Sequence, residues 1–487
     1  MTRYRQGGMI AVVVVALLPG CATSRQHTAA SLTTVGEASP VSHASTGMTS
    51  ATKKTDAETL RLVAYSAAKP LASADSRELS FEEAIATSLD RNPALVTLRA
   101  NEPVAHTAFH VAETYPFNPT VQVQVLPYAR EKDGNLLGVN HYVWLNQTLE
   151  LAHQTAHREA GASAAWNQVR WNIVQAELAN TAQTQRLYFA ALYQQELHQL
   201  ARQTASLHQE FAGIVERRFQ AGLATAADQT TAKIAARQSR RQSELAEANY
   251  QTALLVLQRQ LNLSSDEPFT LVGRLDDFVW HAVPGTDSPG RVTELAFHRP
   301  DVLAAHAGVD IARANADLAH ANEIPNVGIG PYYQRDSVGT YFLGLRAQLN
   351  LPVWDSGRPL TNQRRAEQSL QITTFNQLRL RANTEARTAL ERYERARRLA
   401  AREGADSAET TAAELRSLRR QFEAGEVGVL NVYAAQAALL QDYRTYLDLL
   451  NEVAQAAADV TLMLGMSPAL VIGNPPGDSS PEELPGQ

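Results

Sequence analysis

Two apolar rhythms alternate along the chain. In "NPTVQVQVLPYAR", Val121, Val123 and Val125 are separated by Gln122 and Gln124. That period of two predicts a strand with one apolar face. In "VNHYVWLNQTLEL", Val143, Leu145 and Leu149 share one face, and Asn146, Thr148 and Glu150 the other, so a second strand is expected. From about Thr155 to Phe219 the chain has no proline, and only Gly161 and Gly213 as glycines. A helix there would be about 98 Å long at about 1.5 Å per residue. "RRFQAGLATAADQ" ends it: Gly222 suits the position after a helix C-cap, and Thr225 suits the N-cap of a return helix from Ala226 to about Leu263.

The same order recurs downstream. "HRPDVLAAHAGVDIARANADLAHANE" predicts a helix, matching one expected from about Ala94 to Glu113. "IPNVGIGPYYQ" and "TYFLGLRAQLNLP" predict two more strands. On the last strand Leu343, Leu345, Leu349 and Leu351 lie opposite Arg346, Gln348 and Asn350. A second very long helix is expected from Ser356 to Ala424, turned by Gly425 in "RRQFEAGEVGVLNV". The echo has a constant offset, 425 − 222 = 203, which also relates Phe219 to Phe422, Asp228 to Asn431 and Leu261 to Leu464. The second return helix carries a seam through Val429, Val432, Leu439, Tyr443, Tyr446, Leu450, Val453, Ala457, Val460 and Leu464, broken at Gln436. Its steps of three and four are those of a coiled coil.

The expected organisation has six parts. They are a signal segment over 1–20, a flexible linker over 21–78, a first repeat over 79–264, a connector over 265–290 beside the helical rod, a second repeat over 291–467, and a disordered tail over 468–487. Arg3 and Arg5 precede an apolar run from Met9 to Leu18, which is too short to span a bilayer as a helix. The run leads into "LLPGC". No later stretch offers the 18 or so apolar residues of a transmembrane helix.

Of the 487 residues, 44% are hydrophobic but only 7% aromatic, a balance suited to long helices. The net charge of −6 argues against a nucleic-acid surface. Cys21, the single cysteine, rules out an intrachain disulfide.

Strands of about ten residues with alternating faces are long enough to cross a bilayer when tilted. Four are too few to close a barrel, and an open edge in lipid leaves backbone groups unpaired. Several copies must therefore share one barrel. Trp144 and Trp354 are candidates for its interfacial belts.

Over residues 79–467 the chain resembles the TolC-like outer-membrane efflux proteins. "LSFEEAIATSLDRNPAL", the two turns at Phe219–Gly222 and Phe422–Gly425, "LNLPVWDSGRP" and the "LNLS" and "LGMS" endings carry that resemblance. "QTLELAHQTAHREA" and the helix after Arg299 look most like the CzcC-like cation-efflux branch. The resemblance implies an α+β membrane protein: a homotrimer with a 12-stranded β-barrel, four strands from each protomer. An antiparallel α-helical coiled-coil tunnel would continue it into the periplasm, with an internal two-fold repeat in each protomer. It implies a passive exit duct for heavy-metal cations or drugs, working with a periplasmic adaptor and an inner-membrane transporter of RND type. Cys21 resembles a lipidated bacterial lipoprotein cysteine, followed by an outer-membrane-favouring Ala22.

By the same resemblance, Phe219, Ala221, Gly222 and Leu223, with Phe422, Ala424, Gly425 and Val427, would form the adaptor-docking tips. Asp228 would constrict the tunnel, with neutral Asn431 in the matching place. The outer component of type I protein secretion and a periplasm-spanning coiled coil without a channel are the alternatives.

No nucleophile, metalloprotease or nucleotide-binding motif is present, so no enzyme activity and no cofactor are expected. His106/His110 and His153/His157 are spaced to share a metal on a helix but have no evident third ligand. They read as solvated histidines, and no metal site is expected.

Overall fold

The computed structural model describes residues 77–127, 129–130, 132–134, 136–264, 267–286, 288–403, 413–414, 416–418, 420–422, 424 and 426–473. Cys21, the signal segment, most of the linker, Gly425 and residues 474–487 lie outside them.

The chain opens with β1 (Arg77–Leu79), then α1 (Phe81–Arg91), α2 (Pro93–Arg99) and α3 (Asn101–Glu113). Ser80 caps α1, its hydroxyl accepting from the Glu83 N–H. Asn92 caps α2 and sets Pro93 at its first turn, where a missing N–H costs nothing. The single helix expected to Glu113 is thus two, divided at Ala100, which α3 uses as its N-cap without a side-chain bond. β1 also moves the start of regular structure to Arg77, inside the segment expected to be linker.

Strands β2 (Thr120–Leu126) and β5 (Asn140–Leu149) follow, with the short β3 (Ala129–Arg130) and β4 (Leu136–Leu137) between them. Then come α4 (Gln154–Gln220), 67 residues without a break, and α5 (Ala226–Gln260). The connector holds β6 (Phe269–Leu271) and β7 (Val279–Trp280). After it run α6 (Pro289–Phe297), α7 (Pro300–Ala321), β8 (Val327–Arg335), β9 (Tyr341–Leu349), α8 (Arg358–Glu403), α9 (Val429–Leu464) and β10 (Ile472–Gly473).

The connector is stitched at both ends. β6 pairs in parallel with β1, and β7 pairs antiparallel with β10. Residues 468–473, expected in the tail, therefore contain a short 3-10 turn and a paired strand. Phe278 and Trp280 of the connector pack on Phe189 of α4, with ring centroids 5.0 and 5.4 Å away.

The main hydrophobic cluster joins α1, α4, α5, the connector, α8 and α9, through Leu79, Phe81, Tyr188, Phe189, Leu257, Tyr393, Leu450 and Val453. Two of its buried tyrosine hydroxyls are satisfied. The Tyr188 hydroxyl donates to the Val272 carbonyl at 2.8 Å, and that of Tyr393 to the His281 carbonyl at 2.7 Å.

The long strands form one antiparallel sheet in the order β2-β5-β8-β9, so β5 and β8 join the two halves of the chain. Register decides the faces. Val121, Val123 and Val125 lie opposite Leu145, Val143 and His141; beyond them Val143 faces Tyr333, which faces Leu343. This face is mostly apolar and exposed, reaching 85% at Leu343.

The other face carries Gln122, Trp144, Tyr332, Gln334, Arg346 and Gln348. Trp144 is 2% exposed on it, with the Arg346 guanidinium 4.0 Å above its ring. Trp144 is therefore not a belt residue: it points away from the apolar face and is covered by a cation–π contact. Trp354 is exposed.

Candidate functional site: the two helix turns

The α4–α5 turn is built by caps at both ends. α4 closes with a Schellman arrangement: Leu223 N–H donates to the Arg218 carbonyl at 2.7 Å and Gly222 N–H to that of Phe219 at 2.9 Å. The arrangement puts Gly222 at φ +71°, open to a residue without a Cβ. Thr225 then starts α5 in a reciprocal capping box with Asp228. The Thr225 hydroxyl accepts from the Asp228 N–H at 3.1 Å, and the Asp228 carboxylate accepts from the Thr225 N–H at 3.1 Å and from its hydroxyl at 2.7 Å. Those bonds hold the Asp228 carboxyl below its usual range. The signal for this second role was the Thr-x-x-Asp spacing.

The turn before α9 follows the same register. Glu426 N–H donates to the Gln421 carbonyl at 3.0 Å, the equivalent of the Leu223–Arg218 bond (426 − 223 = 203). Its cap differs. Gly428 stands where Thr225 stands (428 − 225 = 203) and makes no side-chain cap bond. Asn431, the counterpart of Asp228, is exposed and has no capping hydroxyl to answer.

The eight residues expected at the tips divide by burial. Leu223 is 71% exposed; Phe219, Ala221, Gly222 and Ala424 are also exposed, and Val427 is half-buried. Phe422 is a correction. It is 1% exposed, 5.3 Å from Phe211 between ring centroids, and capped by the Arg218 guanidinium. With Phe211, Val215, Ala232 and Val432 it forms a separate small core under the turns. Phe422 holds the two hairpins together rather than presenting a contact surface. Gly425 lies outside the described residues.

His106 and His110 stack edge to face at 4.5 Å beside Trp166. His153 is at φ +58° just before α4, so it does not share a helix face with His157. Among the described residues no group of three or more His, Cys, Asp or Glu is placed to hold a metal. No described helix is long and apolar enough to cross a membrane.

Sequence reasoning missed a buried ion pair below this region. Arg299 is 5% exposed and binds Asp301 at 2.7 and 3.1 Å and Glu385 at 3.0 Å, pinning the start of α7 to α8. Its spacing in sequence, 86 residues to Glu385, left no local signal.

Residues 292–466 match the family model described as outer membrane efflux protein. Over 293 residues, 58% of this chain and 67% of the relative, the sequence is 26% identical to the cobalt-zinc-cadmium resistance protein CzcC of Cupriavidus metallidurans. The fold is similar to that of CusC, whose structures describe folding and transmembrane channel formation. The TM-score is 0.65 at 15% identity, over 80% of this chain and 92% of that one. It is also similar to the open MtrE outer membrane channel of Neisseria gonorrhoeae, with a TM-score of 0.62 at 18% identity, over 79% and 88%. By this family match over residues 292–466, this relative and this fold, the chain is similar to outer-membrane efflux proteins.

Proposed function

We propose that this chain is one protomer of a trimeric exit duct in a tripartite efflux system. The carrying observation is the sheet. Four strands leave β2 and β9 as open edges, while their shared apolar face stands exposed. In lipid such edges must pair, and three copies pairing edge to edge would close a twelve-stranded barrel. The two parts of the chain that supply β2–β5 and β8–β9 act as an internal repeat. The long antiparallel helices continue the duct away from the membrane.

The turn at Gly222 and its counterpart before α9 dock a periplasmic adaptor, which links the duct to an inner-membrane pump of RND type. Divalent heavy-metal cations are the cargo supported by the likeness to CzcC, with drugs as the competing class. Cys21 anchors the chain to the outer membrane through lipid.

Three measurements test this reading. The detergent-purified protein should have the mass of a trimer and conduct ions in a planar bilayer; a non-conducting monomer overturns it. A strain lacking the gene should gain sensitivity to metals in a panel of metals, dyes and drugs. Cys21→Ser should abolish labelling by palmitate.

A further inference from the structure

Among the described residues, the two buried clusters of the helical part do not merge. The main cluster reaches Leu192 on α4 and Tyr446 on α9; the small one begins at Phe211 and Val432. Between them α4 buries no residue over 197–210. On α9, Gln436 is the only buried residue between Val432 and Tyr446, at 2% exposure. It is also the position where the α9 seam breaks. α5 contributes only small side chains to this stretch: Ala232, Ala236, Ser239 and Ala246.

Three polar atoms meet there. His208 Nδ1, Tyr433 Oη and Gln436 Oε1 are shut off from solvent and have no hydrogen-bond partner. The His208 and Tyr433 rings lie edge to face at 5.1 Å. Buried polar atoms left unpaired weaken packing at that point.

We propose that His208, Tyr433 and Gln436 form a proton-operated hinge, at which the helix ends bearing the turns loosen from the main core on acidification. The neutral ring suits the closed packing, and burial pushes the His208 pKa down. The Ala235 carbonyl of α5 opposes that push.

Among the described residues, no charged group acts on the ring. The charged residues nearest in sequence are Arg202 and Glu210 on α4, Lys233 and Arg237 on α5, Asp442 and Arg444 on α9, and Glu414, Arg416 and Arg420 ahead of α9; all are exposed. Lys233 is engaged with Glu216 at 2.9 Å. Among the described residues, no carboxylate pairs with the protonated ring. Because the packed ring has the lower pKa, closed packing is favoured above the ordinary value of 6.5 and weakens as pH falls below it.

The hinge depends on the duct reading only for its effect on ion flow. It is tested by amide hydrogen exchange on the full protein in detergent at about pH 7.5 and about pH 5.5, with times scaled for intrinsic exchange. Protection over 204–215 and 430–440 should fall at the lower pH, by up to about tenfold per pKa unit separating packed and open rings. Protection over 182–192 should hold.

His208→Gln should remove the response. Gln436→Leu, which continues the seam, should raise protection in those segments at both pH values. A wild-type protein without the response, or a His208→Gln protein that keeps it, overturns the hinge. A protein with the response that conducts no ions overturns the duct and leaves the hinge standing.

Discussion

Thr225 and Asp228 cap each other: each backbone N–H is taken by the other's side chain at 3.1 Å. The carboxylate proposed to narrow the duct is thus also part of the turn's frame. Thr225→Ala should cost about 1 kcal/mol, as loss of an N-cap usually does, seen as a lower thermal midpoint in detergent. Asp228→Asn keeps an acceptor at the cap while removing the charge. It should leave the midpoint nearly unchanged and alter single-channel conductance; unchanged conductance would remove Asp228 from the constriction. Since these bonds hold its pKa below 3.8, the cap's contribution is complete above that value and fades as pH falls through the folded pKa.

Leu223 and Phe422 separate the proposed docking from folding. Leu223 is exposed, so Leu223→Asp should leave stability within about 0.5 kcal/mol while abolishing adaptor binding, measured by co-purification or interferometry. Phe422 is buried against Phe211. Phe422→Ala should destabilise by about 3 kcal/mol, read from denaturation in detergent. Normal adaptor binding by the Leu223→Asp protein would argue against docking at this turn.

Removing Arg299 leaves Asp301 without its cation, while Glu385 keeps Arg381 at 2.7 Å. Arg299→Met should lower stability by about 3 kcal/mol, the cost of breaking a buried pair from one side. The triple change Arg299→Met, Asp301→Asn and Glu385→Gln should recover part of the loss. Thermal denaturation of the detergent-solubilised protein checks both.

Gly330 lies against β5 so closely that an added Cβ would sit 1.8 Å from the Leu145 carbonyl oxygen. Pro331 beside it has no N–H to give, and the ladder is interrupted between Trp144–Tyr332 and Gln147–Ile329. Gly330→Ala should therefore separate the two strand pairs. Loss of the assembled species on size-exclusion chromatography, with helical circular dichroism largely kept, is the expected result.

Much of the fold was legible because its causes are local. The uninterrupted run before Gly222 predicts α4, and the structure closes it at Gln220 with that glycine in the left-handed region. The alternation of Val121 to Val125 predicts both a strand and its apolar face. What was misread depended on distant partners. Trp144 has the aromatic character of a belt residue, but its parity along β5 puts it under Arg346, 202 residues on (346 − 144). Phe422 looks equivalent to Phe219 at a fixed offset, yet only Phe422 meets Phe211.

The sequence by itself determined the elements: the long run of α4, the strand alternation, the turn at Gly222 and the Thr225 cap. Each follows from torsional preference and periodicity within a few residues. Tertiary structure alone decided the strand order that joins β5 to β8, the burial of one tip phenylalanine, and the gathering of His208, Tyr433 and Gln436 between two cores. Those outcomes turn on which surfaces meet, and no short stretch of chain carries that information.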